Sequence, residues 1–196
     1  MNRYFLFLCS ILLSLTNNCL VIASFDPKIK EVEFKQEGIG SKTIVVSFTE
    51  KNVLNRHHRS NTTISSPSGN TLLKACKESS LFKEILSEIG DADIKLHVDS
   101  VRNGQLIPIL LFISAVTLTI IPSYSEEERN VVYSFFDGKG KLLKSYKRRA
   151  KFTQLFHILF FPFLPFKYNG LSADEIIFED ITKSVLDEAN RDGLFK

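Results

Sequence analysis

The chain has 196 residues, 44% hydrophobic and 24% charged, the balance of a globular domain rather than a disordered one. A chain of this length buries a core without disulfide or metal staples. Its formal net charge of +3 is too small to argue for nucleic acid as a partner, and no basic motif with a known readout occurs. The 17 Phe and the absence of Trp give a large apolar content with no hydrogen-bonding handle.

The N-terminus reads as a targeting segment. Arg3 is the only charged side chain among residues 1–18, Phe5 to Leu15 is apolar apart from Ser10 and Ser14, and Thr16-Asn17-Asn18 is polar. That order of charge, apolar run and polar exit is the order of a secretory signal. Three outcomes are open at its end. A lipoprotein peptidase would cut before Cys19, once the cysteine sulfur carries a lipid such as palmitate. An ordinary signal peptidase would cut after Ala23, where Val21-Ile22-Ala23 meets the small-residue rule. An uncleaved anchor would run from Tyr4 to Phe25, about 20 residues and long enough to span a bilayer. The reading taken is the first, with residues 1–18 as signal peptide and Cys19 as the lipidation site. Asn18 departs from the strict rule of a small residue before the cysteine, and Leu20–Ala23 is not the polar tether that commonly follows. With Cys9 in the signal and Cys19 lipidated, Cys76 stands alone and no intrachain disulfide is expected.

Residues 19–41 read as an anchor and lead-in, and residues 42–193 as a single α+β domain. Thr43–Thr49 is β-branched and predicts a strand. Residues 52–70 are polar and predict a long loop. Leu72, Cys76, Phe82, Ile85, Leu86 and Ile89 recur at helical spacing and predict a helix over 71–89, stopped at Gly90, with Cys76 an inert core residue. Asp93–Val101 alternates polar and apolar residues, the period of a half-buried strand. Gly104–Ser125 holds no charge. It predicts a short apolar helix running into a buried strand near Val116–Ile121, with a membrane span as the rival reading. Asp137-Gly138 suits the positive backbone angles of a tight turn and predicts a β-hairpin across 130–149. Phe152–Tyr168 is aromatic and apolar, broken by Pro162 and Pro165. Ser172 to Glu175 has the form of a capping box, and Ile177, Ile181, Val185 and Ala189 predict an amphipathic helix over 173–190. Together these predict an α+β fold, with an about four-stranded, mainly antiparallel sheet and two amphipathic helices packed on one face.

Two stretches carry a resemblance. Leu15-Thr16-Asn17-Asn18-Cys19 resembles the loose lipobox of spirochaetal lipoproteins. From about residue 93 onward, the order of Leu118-Thr119-Ile120-Ile121-Pro122, the hairpin Val131–Tyr146 and the proline-punctuated Phe160–Phe166 is similar to a loose group of bacterial envelope lipoproteins. The resemblance covers about half the chain. It implies an α+β lipoprotein and transfers no catalytic residue.

One cluster has chemical content. Lys139, Lys141, Lys144, Lys147, Arg148, Arg149 and Lys151 form a run without an acid, directly before the aromatic stretch. Cations beside exposed rings suit an interfacial membrane contact, so Lys144, Lys147, Arg148, Arg149, Lys151, Phe152, Phe156, Phe160 and Phe161 are candidates for it. The alternative is a solvated hairpin face, for which the acidic last helix offers internal partners. His57 and His58 lie between Arg56 and Arg59, which oppose a metal ion. No nucleophile elbow, paired catalytic carboxylates or glycine-rich phosphate loop is found, and no cofactor is implied. An envelope hydrolase requires His97 or His157 to meet a Ser and a carboxylate in a pocket. The reading is a lipid-anchored, non-enzymatic envelope protein that binds an envelope protein partner or assists assembly. The alternative is an integral protein spanning near 104–125, within a transport complex.

Overall fold

The computed structural model describes residues 19–29, 32, 34, 40–54, 57–61, 64, 66–87, 90–106, 112–114, 116–117, 121–156 and 173–195. Strands β1 (Cys19–Asp26), β2 (Thr43–Leu54) and β3 (His57–Asn61) come first. Helix α1 (Pro67–Glu78) and β4 (Glu84–Ser87) follow. Then come β5 (Ile94–Leu106), β6 (Ser123–Asp137), β7 (Leu142–Phe156) and helix α2 (Ala173–Arg191). All seven strands join one sheet in the order β1-β7-β6-β5-β2-β3, with β4 also beside β2.

The fold is α+β, as the sequence predicts, but the sheet is larger and mixed. β5, β6, β7 and β1 are antiparallel neighbours, whereas β2 runs parallel to both β5 and β4. The extra strands come from segments whose pattern predicts something else. Cys19–Asp26, expected as anchor and lead-in, is an edge strand paired residue for residue with β7 from Phe156 back to Arg149. The polar stretch expected as a loop continues β2 to Leu54 and returns as β3. The helix expected over 71–89 ends at Glu78. The Ser79 hydroxyl donates to the Cys76 carbonyl (2.7 Å), and Ser80 takes a positive φ of 54°. The chain then reverses, and Ile85 and Leu86 pair with β2 rather than completing a helical face.

α1 starts where its residues dictate. Ser66 caps it, the hydroxyl accepting from the Gly69 N–H (3.1 Å), with Pro67 in the first turn. α2 stops at Gly193, whose φ of 82° carries a Schellman closure: Gly193 N–H to the Asn190 carbonyl and Leu194 N–H to the Ala189 carbonyl. Ser172 lies outside the described residues. The β6–β7 hairpin extends the predicted one at both ends. The Asp137 carboxylate accepts from the Lys139 and Lys141 N–H groups, and Gly140 takes φ 86°.

Both helices cover one sheet face, as the sequence predicts. On it lie Ile44, Val46 and Phe48 of β2, Ile94, Leu96 and Val98 of β5, and Val131, Tyr133 and Phe135 of β6, all buried. Ile177, Phe178, Ile181 and Val185 of α2 pack on them, with Leu72 and Cys76 of α1. Burial of each large side chain contributes about 1.5–3 kcal/mol. Burial pushes the Cys76 thiol up to about 12, which keeps it protonated and inert.

A fully buried cation sits inside this apolar layer. Arg129 of β6 has no exposed surface. Its guanidinium donates to Glu50 (2.7 Å), Ser68 (2.7 Å), Asp174 (3.1 Å) and Ser100 (3.1 Å), and stacks 4.1 Å from the Phe178 ring centre. Arg102, directly across the strand pair from Arg129, donates to Glu127 (2.6 Å) and to the other Asp174 oxygen (3.0 Å). One cluster therefore ties β2, β5, β6 and the first turns of both helices.

Replacing Arg129 with Met strands the Glu50 and Asp174 carboxylates in the core. Equilibrium urea unfolding is expected to show a loss of about 3–5 kcal/mol, with Arg129→Lys restoring only part of it. A loss below about 1 kcal/mol for the Met variant would contradict this role. Native Cys76 is also expected to resist iodoacetamide at pH 8 and to react on unfolding. Fast labelling of the folded chain would count against its burial.

Candidate functional site

The sheet has two chemically different ends. At one lie the β6–β7 turn and the C-terminus, with Asp137, Lys139, Lys141, Arg191 and Asp192. At the other end Cys19 pairs with Phe156 and Phe156 with Ser123, while Leu106 pairs with Ser125. Adjacent strands lie about 4.8 Å apart, so the Cys19 backbone is about 10 Å from the start of β6. The connection between β5 and β6 leaves and returns at this end. It carries Phe112 and Val116, which are 69% and 67% exposed, with Ile113 and Ile121 also exposed. Residues 112–114 form a helical turn. Tyr124 of β6 and Ile22 of β1 add further exposed apolar surface.

This geometry does not support the rival reading of Gly104–Ser125 as a membrane span. A single bilayer crossing separates its ends by about 30 Å. Here the two ends are neighbours in one sheet, Gln105 pairing with Glu126. No helix among the described residues is long and apolar enough to cross a membrane. Of the buried strand expected near Val116–Ile121, only residues 116, 117 and 121 are described, and none of these three is in a strand. Val116 is exposed and β6 begins at Ser123.

The basic run lies along β7 and is split by strand alternation between the two sheet faces. Arg148 and Phe152 point to the helices. Phe152 is buried in the core, and Arg148 donates to Glu188 of α2. Lys147, Arg149 and Lys151 point to the other face, where Arg149 donates to Glu128 (2.6 Å) and Lys151 lies 3.9 Å from the same carboxylate. The Arg149 and Asn130 donors hold the Glu128 carboxyl below its usual range. Lys144 and Tyr146 donate to Asp192 and lower its carboxyl likewise. The described candidates for membrane contact therefore lie on both faces of the sheet, and the acids of the last helix and its end take up Lys144 and Arg148. The Phe156 side chain, Phe160 and Phe161 lie outside the described residues, as does His157.

The face away from the helices carries a polar chain that sequence spacing alone does not join. The Ser47 hydroxyl is 2.8 Å from His97 Nδ1, and His97 Nε2 is 3.2 Å from Asp99. The register explains it. Ser47 and His97 are direct neighbours on parallel strands, and Asp99 is two residues further along β5 on the same face. The order resembles a nucleophile, base and orienting acid, set on an open face. His97 and Asp99 side chains are 39% and 50% exposed, so water competes for every bond. A trough of about 500 Å³ lies further along the same face, lined by Ile22, Ser24, Asn103, Gln105, Glu126 and Lys151 among others. A second of about 300 Å³ lies beside Asp26, Asn130 and Arg149. Neither is lined by Ser47 or His97. No group of three potential metal ligands occurs among the described residues.

No protein-family model and no curated protein matches the chain. Solved structures with a similar layout include a minor lipoprotein from Acinetobacter baumannii, at 10% identity and a TM-score of 0.43 over 78% of this chain and 95% of that one. A PelC dodecamer from Paraburkholderia phytofirmans matches at 11% identity and a TM-score of 0.37, over 85% and 96%. TM-scores below 0.5 mark a loose likeness from which neither function nor assembly carries over.

A fluorophosphonate probe is expected to leave Ser47 unlabelled. Labelling that disappears in His97→Ala would show an activated serine and overturn the inert reading of this face.

Proposed function

We propose that the protein is exported, cut before Cys19, lipidated there and held on an envelope membrane as a non-enzymatic module that binds a protein partner or assists assembly. The observation that carries this reading is that the chain is already paired with β7 at Cys19, the first described residue. Cleavage after Ala23 would remove five of the strand's eight residues, Cys19–Ala23, with their pairing to Phe152–Phe156. Val21, only 6% exposed, would go with them. Its burial alone contributes about 1.5–3 kcal/mol. An uncleaved helix reaching Phe25 would have to pull Cys19–Phe25 out of the sheet, and Tyr4–Asn18 alone is shorter than the roughly 20 residues a span needs. The cut at Cys19 is the one that keeps the edge strand whole.

The partner-binding part rests on chemistry. The open sheet face offers His97, Asp99, Lys147 and Arg149, half or fully exposed and of both signs. Such a face suits a wet, polar contact better than an enclosed reaction.

Intact mass and the N-terminal peptide of the protein from its native membrane test the anchor. The expected result is a chain beginning at an acylated Cys19, with Cys19→Ala released from the membrane fraction. A chain beginning at an unmodified Ser24 would overturn the reading.

A further inference from the structure

The geometry points to a membrane-seating loop: Phe112, Ile113, Val116 and Ile121 enter the acyl boundary of the same bilayer that holds the lipid on Cys19. This rests on the lipidated-Cys19 reading and adds an orientation to it. Three observations converge. The exposed apolar side chains lie on the connection that leaves and returns at the Cys19 end of the sheet. No polar tether separates the cysteine from the fold, because β1 is already paired with β7 at Cys19. A thioether-linked lipid there would hold this end at the membrane surface. Finally, Gly104–Ser125 contains no Asp, Glu, Lys or Arg, so entering the boundary removes no side-chain charge from water.

The opposite end differs in that charged residues on the β6–β7 turn and after α2 surround its exposed Leu142 and Leu143. The domain would thus stand end-on, strands inclined away from the bilayer and the helix layer to one side. A side chain in the headgroup–acyl boundary sits about 5–10 Å deep. A thioether-linked diacylglyceryl group carries two acyl chains, enough for a stable anchor, so what the loop would add is orientation.

The absence of Trp makes the test direct, since each introduced Trp is the sole reporter. The acylated protein, its mass verified, is placed in phosphatidylethanolamine–phosphatidylglycerol vesicles with or without brominated acyl chains. Phe112→Trp and Val116→Trp are expected to lose most of their emission to the brominated lipid. Leu142→Trp, at the far end and exposed in the same way, is expected to keep its emission. If acylated protein shows no quenching at 112 and 116, the seating loop is wrong while the anchor stands. If those reporters are shielded from water but unquenched and the protein sediments as a dimer, a second copy covers the patch and the inference is overturned. If no acylated protein is obtained from the native membrane, the anchor reading fails and the inference with it.

Discussion

Arg129 sets the terms on which the layers of this protein meet. It is a cation with no exposed surface, placed directly across from Arg102 on the neighbouring strand. Two like charges opposite one another repel, and burial would magnify the cost. Glu50, Glu127 and Asp174 remove the conflict, and Asp174 does so for both arginines at once. Asp174 lies in the first turn of α2, where free N–H groups and the helix dipole favour a carboxylate. Ser68 lies in the first turn of α1. Both helices must therefore begin over the same part of the sheet. Such a cluster adds less net stability than an apolar core of equal volume. What it supplies here is register: a helix slid by one turn along the sheet would leave a buried charge without its partner.

That register makes the two ends of the sheet different. The helices start toward the end where β1 begins and finish toward the charged hairpin, where Asp192 meets Lys144 and Tyr146 and Phe195 closes on Phe82 and Phe135. The far end is thus sealed by polar bonds and aromatic packing. Leu142 and Leu143 stay exposed there beside the charged turn, whereas the Cys19 end carries Phe112, Ile113, Val116 and Ile121 exposed on a connection without charged side chains. A lipid anchor is one consistent reason for that asymmetry, because the surface nearest an acyl chain need not be wetted.

Much of the antiparallel half was legible in the sequence. Alternation in Asp93–Val101 and 130–149 matches β5 and the hairpin; the turn falls where Asp137-Gly138 predicts it, but the positive φ is at Gly140 rather than Gly138. The last helix was clear from Ile177, Ile181, Val185 and Ala189. The parallel half was not, because parallel pairing is decided by distant partners. Thr43–Thr49 says strand but cannot say that Ile94–Gly104 lies beside it. Helical periodicity misleads at 71–89 as well: Phe82, Ile85 and Leu86 fit a helical face, yet two serines let the backbone turn at Ser80. The Arg129 cluster had one readable signal. Extending the inward phase of Phe135, Tyr133 and Val131 back by two residues puts Arg129 inside, which calls for buried acids. The Ser47–His97 contact depended on the parallel register and had no such signal.

The central claim is that Cys19–Asp26 is part of the folded sheet rather than a tether leading to it. Native-state amide hydrogen exchange on the mature protein measures this directly. The account predicts that the β1 amides facing β7 are protected to a degree comparable with those of β7 itself, from the first residues after Cys19. Exchange across Cys19–Asp26 as fast as in an unfolded peptide, with β7 still protected, would contradict it and return this segment to a flexible linker.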